Sequence, residues 1–187
     1  MVEKEYRWKF LEVGLKSNHD GSTWTIGKWR KVAPPMQECV GLNACRYIQD
    51  ALSYVQEPIL ALVEIGGKII SSDDKDTCER MRIVKTWKWT KKNSVALAIY
   101  SAEICLLDYE KLYPDDKRIR DAIEKARAVL KTDTEKNRSA ASAARGAAES
   151  AASAARGEAE SAAWSAARGA AKEKIHAYIL KIKRIKA

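Results

Sequence analysis

Residues 5–13 (Glu5-Tyr-Arg-Trp-Lys-Phe-Leu-Glu-Val13) alternate loosely between apolar and polar and are rich in aromatics, the pattern of a half-buried strand. Asn18-His-Asp-Gly21 is a turn signal, because Asp-Gly accommodates positive φ, and Thr23-Trp-Thr-Ile26 reads as a second short strand. These two strands are expected to pair as a hairpin. Pro34-Pro35 then interrupts regular structure. Beyond Gly41-Leu-Asn-Ala-Cys45, the apolar positions Tyr47, Ile48, Ala51, Leu52 and Val55 recur at helical spacing, predicting a short helix that stops before Pro58. Ile59-Leu-Ala-Leu-Val-Glu-Ile65 is a continuous apolar run, expected to be a buried strand ended by Gly66-Gly67. A further strand pair is expected at residues 68–71 and 81–90, separated by the acidic loop Asp73-Asp-Lys-Asp76.

After residue 92 the period changes. Residues 95–113 are apolar nearly all round (Leu97, Ile99, Ile104, Leu106, Leu107, Leu112), the mark of a central, buried helix. Pro114 ends it and can open the next helix, with Asp115 and Asp116 suited to that helix's N-terminal dipole. Ile119, Ala122, Ile123, Ala126 and Leu130 give an amphipathic helix whose outer face carries Arg118, Arg120, Lys125 and Arg127. Thr132-Asp-Thr-Glu135 is a capping-box pattern that would open a third helix.

That third segment is repetitive. Ser139-Ala-Ala-Ser-Ala-Ala-Arg-Gly-Ala-Ala-Glu149 recurs with one change to Glu160, and a third copy starts at Ser161 with Trp164 inserted. Alanine favours helix, while Gly146, Gly157 and Gly169 each cost roughly 1 kcal/mol there, so a break is expected near one of them. The repeat step equals about three helical turns, which puts Arg138, Arg145 and Arg156 on one face and rotates Arg168 off it. The other faces are small enough for close approach of the 95–113 helix or of a second copy in a homodimer. In the tail from Lys172, Ile175, Tyr178, Ile179, Ile182 and Ile185 keep helical spacing, with Lys181, Lys183 and Arg184 among the basic residues between them.

The expected fold is therefore α+β. A small mixed N-terminal domain with an antiparallel sheet (1–92) precedes an α-helical bundle or hairpin (93–187) containing a long Ala-rich helix with its repeat at 139–171. Five of the six tryptophans fall before residue 90, which is the composition shift that sets this boundary. The net charge of +9 divides almost evenly between the two parts, with +5 concentrated from Lys172 onward. An excess of that size favours an acidic partner, either nucleic acid or an acidic protein surface. Charges interrupt every long apolar run, and the first seven residues lack an apolar signal core, so a cytoplasmic protein with no membrane partner is expected.

The residues argue against catalysis. Only His19 and His176 are available as imidazole bases. A Cys45–His19 pair is the one nucleophile–base pairing on offer, and a solvated turn histidine is the plainer reading. Cys39, Cys45, Cys78 and Cys105 form no CxxC pair and read as free thiols, so no zinc site is expected. Asp73, Asp74, Asp76 and Glu79 read as a polar loop, and no phosphate-cradling glycine loop follows a strand. No enzyme activity, metal or cofactor is expected. Binding chemistry is better supplied. Arg82-Ile-Val-Lys-Thr-Trp-Lys-Trp-Thr-Lys-Lys92 interleaves basic and aromatic residues, and on a strand Lys85, Trp87, Trp89 and Lys91 would share a face able to stack bases and meet phosphates, with Lys92 adjoining. The alternative is that the tryptophans are core and the lysines guard a sheet edge. The arginine stripe could likewise grip phosphates or an acidic protein, or only solubilise its helix.

Two stretches carry a resemblance. Gly41-Leu-Asn-Ala-Cys45, the helix ending around Tyr54, Leu62-Val-Glu-Ile-Gly66, Asp73-Asp-Lys75 and Arg82-Ile-Val84 together resemble a small domain of unknown function found in phage and prophage proteins. That family has an aromatic–His pair where Leu42-Asn43 stand here. Residues 95–130, with Tyr113-Pro-Asp-Asp-Lys-Arg118 and Asp121-Ala-Ile-Glu-Lys-Ala-Arg127 followed by the Ala-rich repeat to about residue 170, resemble a helical immunity-protein family. The resemblance implies a mobile-element accessory protein that acts by binding. The expected function is inhibition of a host defence nuclease complex, of anti-CRISPR type, with a CRISPR nuclease as one such host effector. Direct binding of DNA or RNA and neutralisation of a toxin are the alternatives.

Overall fold

The computed structural model describes residues 4–35, 37–54, 58–139, 142 and 161–183. The chain divides into two compact units: Met1–Thr90 together with the C-terminal segment from Ile179, and Lys91–Tyr178.

The first unit is built on five antiparallel strands: β1 (Glu5–Leu11), β2 (Arg30–Lys31), β3 (Leu42–Cys45), β4 (Ile59–Ser71) and β5 (Lys75–Lys88), with one short helix, α1 (Ile48–Tyr54), between β3 and β4. β1 lies along β4 from Glu5↔Ile65 to Leu11↔Ile59. β4 also pairs with β5, β5 with β3, and β3 with β1 through Trp8↔Cys45, so the pairings close into a circuit. Inside it lie Leu11, Trp24, Ala44, Ala61, Val63, Ile65, Cys78, Met81 and Ile83, all buried. β4 reads as an unbroken apolar run because both its faces are covered. Ala61, Val63 and Ile65 take one side while Leu60 and Glu64 are buried on the other.

Several expectations change here. Residues 23–26 do not form the second arm of a hairpin. Thr23 and Ile26 make only isolated bridges, to Lys16 and Ile83, and β1 pairs instead with the longer apolar β4, which covers far more of it. Gly66-Gly67 does not end β4. The register shifts between Gly66 and Ile69, and Gly67 takes φ +77° in a bulge beside Glu79, whose carboxylate accepts the Lys68 N–H at 3.1 Å. Residues 68–71 are thus the far half of β4, and their partners are Asp76–Cys78 in β5. A second shift, between Leu62 and Val63, leaves Val84 as an extra residue on β5.

The second unit contains α2 (Lys91–Leu112) and α3 (Arg118–Lys131), which form a helical hairpin. Ion pairs Glu103–Arg127 and Glu110–Arg120 join positions that step in opposite senses along the two helices, fixing them as antiparallel. At the turn, Asp116 accepts the Arg118 backbone N–H at 3.0 Å and the Tyr109 hydroxyl at 2.7 Å. α3 therefore starts four residues after Pro114, behind a turn closed by Asp116 rather than on the proline. Ile123 and Val129 are its buried positions. The next helical turn, at residues 135–139, is capped by Thr134, whose hydroxyl accepts the Asn137 N–H at 3.2 Å, two residues later than the expected cap at Thr132. The last helix, α4 (Ser161–Ile182), runs through Gly169 without a break, and Tyr178 stacks on Tyr100 of α2 with centroids 4.0 Å apart. The repeat from 143 to 160, with Gly146, Gly157, Arg145 and Arg156, lies outside the described residues, as do Arg184 and the side chain of Cys105.

Candidate functional site

The interleaving of basic and aromatic residues expected at 82–92 is real in sequence but is divided in space. β5 ends at Lys88, so Lys91 and Lys92 sit exposed on the first turn of α2 rather than on a strand face. Trp89 is buried, meets Phe10 edge-on at 5.4 Å, and lies under the Lys183 ammonium at 5.6 Å. Lys183 also donates to the Lys88 carbonyl, and burial lowers its pKa. Both residues serve the core. Trp87 is half-buried, tilted against Trp8 at 5.9 Å and flanked by exposed Lys85 at 5.4 Å. Lys181 is exposed on the last turn of α4. Arg138 is the described member of the arginine stripe, and its guanidinium meets Asp133 at 3.2 Å and Glu135 at 3.6 Å.

The sequence readings of catalysis and metal binding also resolve into geometry. Cys45 and His19 do line one cleft, but burial pushes the Cys45 thiol up to about 12, so it is not held as a thiolate. Asp76 is not part of a solvated acidic loop. It is fully buried on β5, held by Arg7 and, at 3.4 Å, by Arg46. Among the described residues no group of three or more His, Cys, Asp or Glu could hold a metal ion, and no helix is long and apolar enough to cross a membrane.

A different basic–aromatic face is assembled where β2 pairs with β5 (Arg30↔Met81, Lys31↔Arg80). Strand alternation puts Arg80 and Arg82 on one side of β5, and both guanidiniums lie over the half-buried Trp29 ring, at 5.1 and 4.8 Å. Arg82 is tied down by Glu64 at 2.6 Å, and Arg30 by Asp20 at 3.6 Å while it covers Trp24. Lys28, Lys31 and Arg80 are exposed and form no ion pair among the described residues. Beside Trp29 opens a groove of about 250 Å³, walled by Trp29, Arg80 and Ile69 and floored by Gly66-Gly67. The glycine floor is tight: a Cβ on Gly66 would stand 2.9 Å from the Arg80 guanidinium. Glu5 and Glu64 reach the same groove but are already paired with Arg7 and Arg82.

This face leaves little trace in the pattern of the sequence. Its signal was present in Lys28-Trp-Arg-Lys31, a basic–aromatic string as dense as the one at 82–92. Only two of its residues pair as strand, so no periodicity drew attention to it. Compared with known proteins, the chain matches no family model, no curated protein and no solved structure.

Proposed function

We propose that the protein acts by binding rather than by catalysis, and that its ligand is a single strand of nucleic acid held on the β2–β5 face around Trp29. The observation that carries this reading is the half-buried Trp29 under the Arg80 and Arg82 guanidiniums, with Arg80 and the exposed Lys28 and Lys31 forming no ion pair among the described residues. Aromatic rings and guanidinium planes stack on any base, and unpaired cations gain most from phosphate contact, so this combination suits a flexible strand without demanding a sequence. The test is a mobility-shift titration with a short oligonucleotide at low and at physiological salt, using the intact protein, Trp29→Ala and Arg80→Glu. Binding at low salt that both substitutions weaken supports the reading, and no shift at low salt overturns it.

A second reading, an inhibitor that occupies a host effector protein such as a CRISPR nuclease, rests on the resemblance. Leu107 and Leu112 also favour it, standing 67% and 71% exposed on α2 as large apolar side chains do at protein interfaces. Capture of a defence nuclease that persists after nucleic acid is digested away would select it over direct nucleic-acid binding.

A further inference from the structure

A second cleft, of about 380 Å³, opens between β1, β3 and α1 on the same unit. Trp8, Phe10, Ala44 and Ala51 supply its apolar lining, while Lys9, Lys75, Asn18 and His19 supply its polar side chains. No Asp or Glu lines it. Lys9 belongs to the strand face opposite Trp8 and Phe10, yet its ammonium is drawn in to donate to the Asn43 carbonyl at 3.1 Å. It has no carboxylate at ion-pair distance among the described residues, and two of its three donors find no protein acceptor there. Asn43 is fully engaged. Its amide nitrogen donates to the Cys39 and Gly41 carbonyls, and its oxygen accepts the Thr77 hydroxyl at 2.6 Å. At the rim the Tyr54 hydroxyl donates to Asp74 at 2.5 Å, and the Lys75 ammonium lies 4.3 Å from the Tyr54 ring centroid.

A partly buried ammonium without a counter-charge is costly, and burial does lower the Lys9 pKa. A fold keeps such a group where something outside the chain compensates it. We propose that this cleft binds a small organic anion, with one carboxylate or phosphate on Lys9 and its body seated in the cleft along the edge that Trp8, Ala44, Ala51 and Tyr54 present. The cavity lies in the size range of ordinary small-molecule sites, roughly 300–1,000 Å³. Its lining divides evenly between apolar residues and polar side chains, which include two ammonium groups. The inference does not depend on the Trp29 face, since no residue of that groove lines this cleft.

Calorimetric titration of the full chain with indole-3-acetate and with adenosine monophosphate tests it, each beside its neutral counterpart, indole-3-ethanol or adenosine. At least one anion should bind saturably, about tenfold or more tightly than its neutral partner, and Lys9→Met should abolish that difference. Which anion binds separates a carboxylate ligand from a phosphate one. A second measurement stands if Lys9→Met fails to fold: bound anion should protect Lys9 from reductive methylation in the unaltered protein, read by peptide mass spectrometry. Binding by neither anion, equal binding of the neutral compounds, or methylation of Lys9 indifferent to the anion would overturn the proposal.

Discussion

Arg7 of β1 donates its Nε to the carboxylate of Asp76 of β5, a side chain with no exposed surface. The pair links two strands that are distant in sequence and brings Arg46, 3.4 Å from the same carboxylate, into the arrangement. Removing one partner strands the other's charge in a low-dielectric interior. Loss of one member of a buried pair typically costs about 3–5 kcal/mol. Arg7→Ala, which leaves the fully buried Asp76 carboxylate with Arg46 at 3.4 Å, should therefore lower the urea midpoint of the first unit sharply. Arg120→Ala, which breaks the exposed pair with Glu110, should leave the midpoint of unfolding essentially unchanged. Equal effects from both substitutions would show that burial does not set the strength of the Asp76 pair.

The closed circuit of strands depends on two glycines that have no room for a side chain. Gly67 takes φ +77°, and a Cβ there would stand 2.6 Å from the Glu79 carboxylate. Gly41 takes φ +149°, and a Cβ would meet Thr77 at 2.9 Å and the Cys78 carbonyl at 3.2 Å. Backbone strain and overpacking add at each site, so Gly67→Ala and Gly41→Ala should each cost about 1–3 kcal/mol. At Gly67 the obstacle is a flexible carboxylate, whereas at Gly41 part of it is backbone, so Gly41→Ala should be the worse of the two. Thermal unfolding followed by circular dichroism ranks them directly.

The legible parts of the fold were those in which local pattern and long-range packing agree. The apolar run in β4 is legible because burial on both faces leaves no polar position to interrupt it, whereas the all-round apolar α2 buries only Leu97 and Ile99 of its described residues and leaves Leu107 and Leu112 exposed. β3 has no legible period, since Leu42–Cys45 is four residues long and its pairing partners lie in β1 and β5. Gly66-Gly67 signals a strand end and a bulge equally well, and only the partner strand decides between them. Asp76 sits in a run of acidic residues and looks solvated until Arg7 and Arg46 are brought to it. The candidate site was less legible for the same reason. Trp89 and Trp29 occupy similar strings of sequence, but one meets Phe10 and the other meets Arg80 and Arg82, and those contacts are set by topology.

The cysteines should differ sharply in reactivity. Cys39 is exposed, while burial pushes the Cys78 thiol up to about 11 and the Cys45 thiol to about 12. A thiol-directed alkylating agent at neutral pH should label Cys39 in the folded protein and reach Cys45 and Cys78 only after unfolding. The sign of the pH effect follows from the same shifts. The folded state keeps protons on these thiols that the unfolded chain, with ordinary thiol values near 9, sheds as pH rises. Their contribution to stability should therefore decline as pH rises from about 9 towards about 12. Labelling of Cys45 at the same rate as Cys39 would place it at the surface.

Salt dependence should distinguish Trp29 from the cations around it. If Lys28, Lys31 and Arg80 neutralise about three phosphates, a single strand should bind with a slope in log affinity against log salt of about −2, or about a twenty-fold loss between about 50 and about 200 mM. Lys31→Glu or Arg80→Glu should weaken binding and flatten that slope by at least about 0.7, the share of one phosphate contact. Trp29→Ala should remove about 1–3 kcal/mol of stacking while leaving the slope unchanged, because a stacked base releases no counterion. Trp89→Phe, a conservative change in the core, should alter neither affinity nor slope. Fluorescence anisotropy of a labelled oligonucleotide at four salt concentrations measures both quantities for each variant. A Trp29→Ala slope that flattens as much as the charge reversals would mean that the ring positions the cations rather than meeting a base.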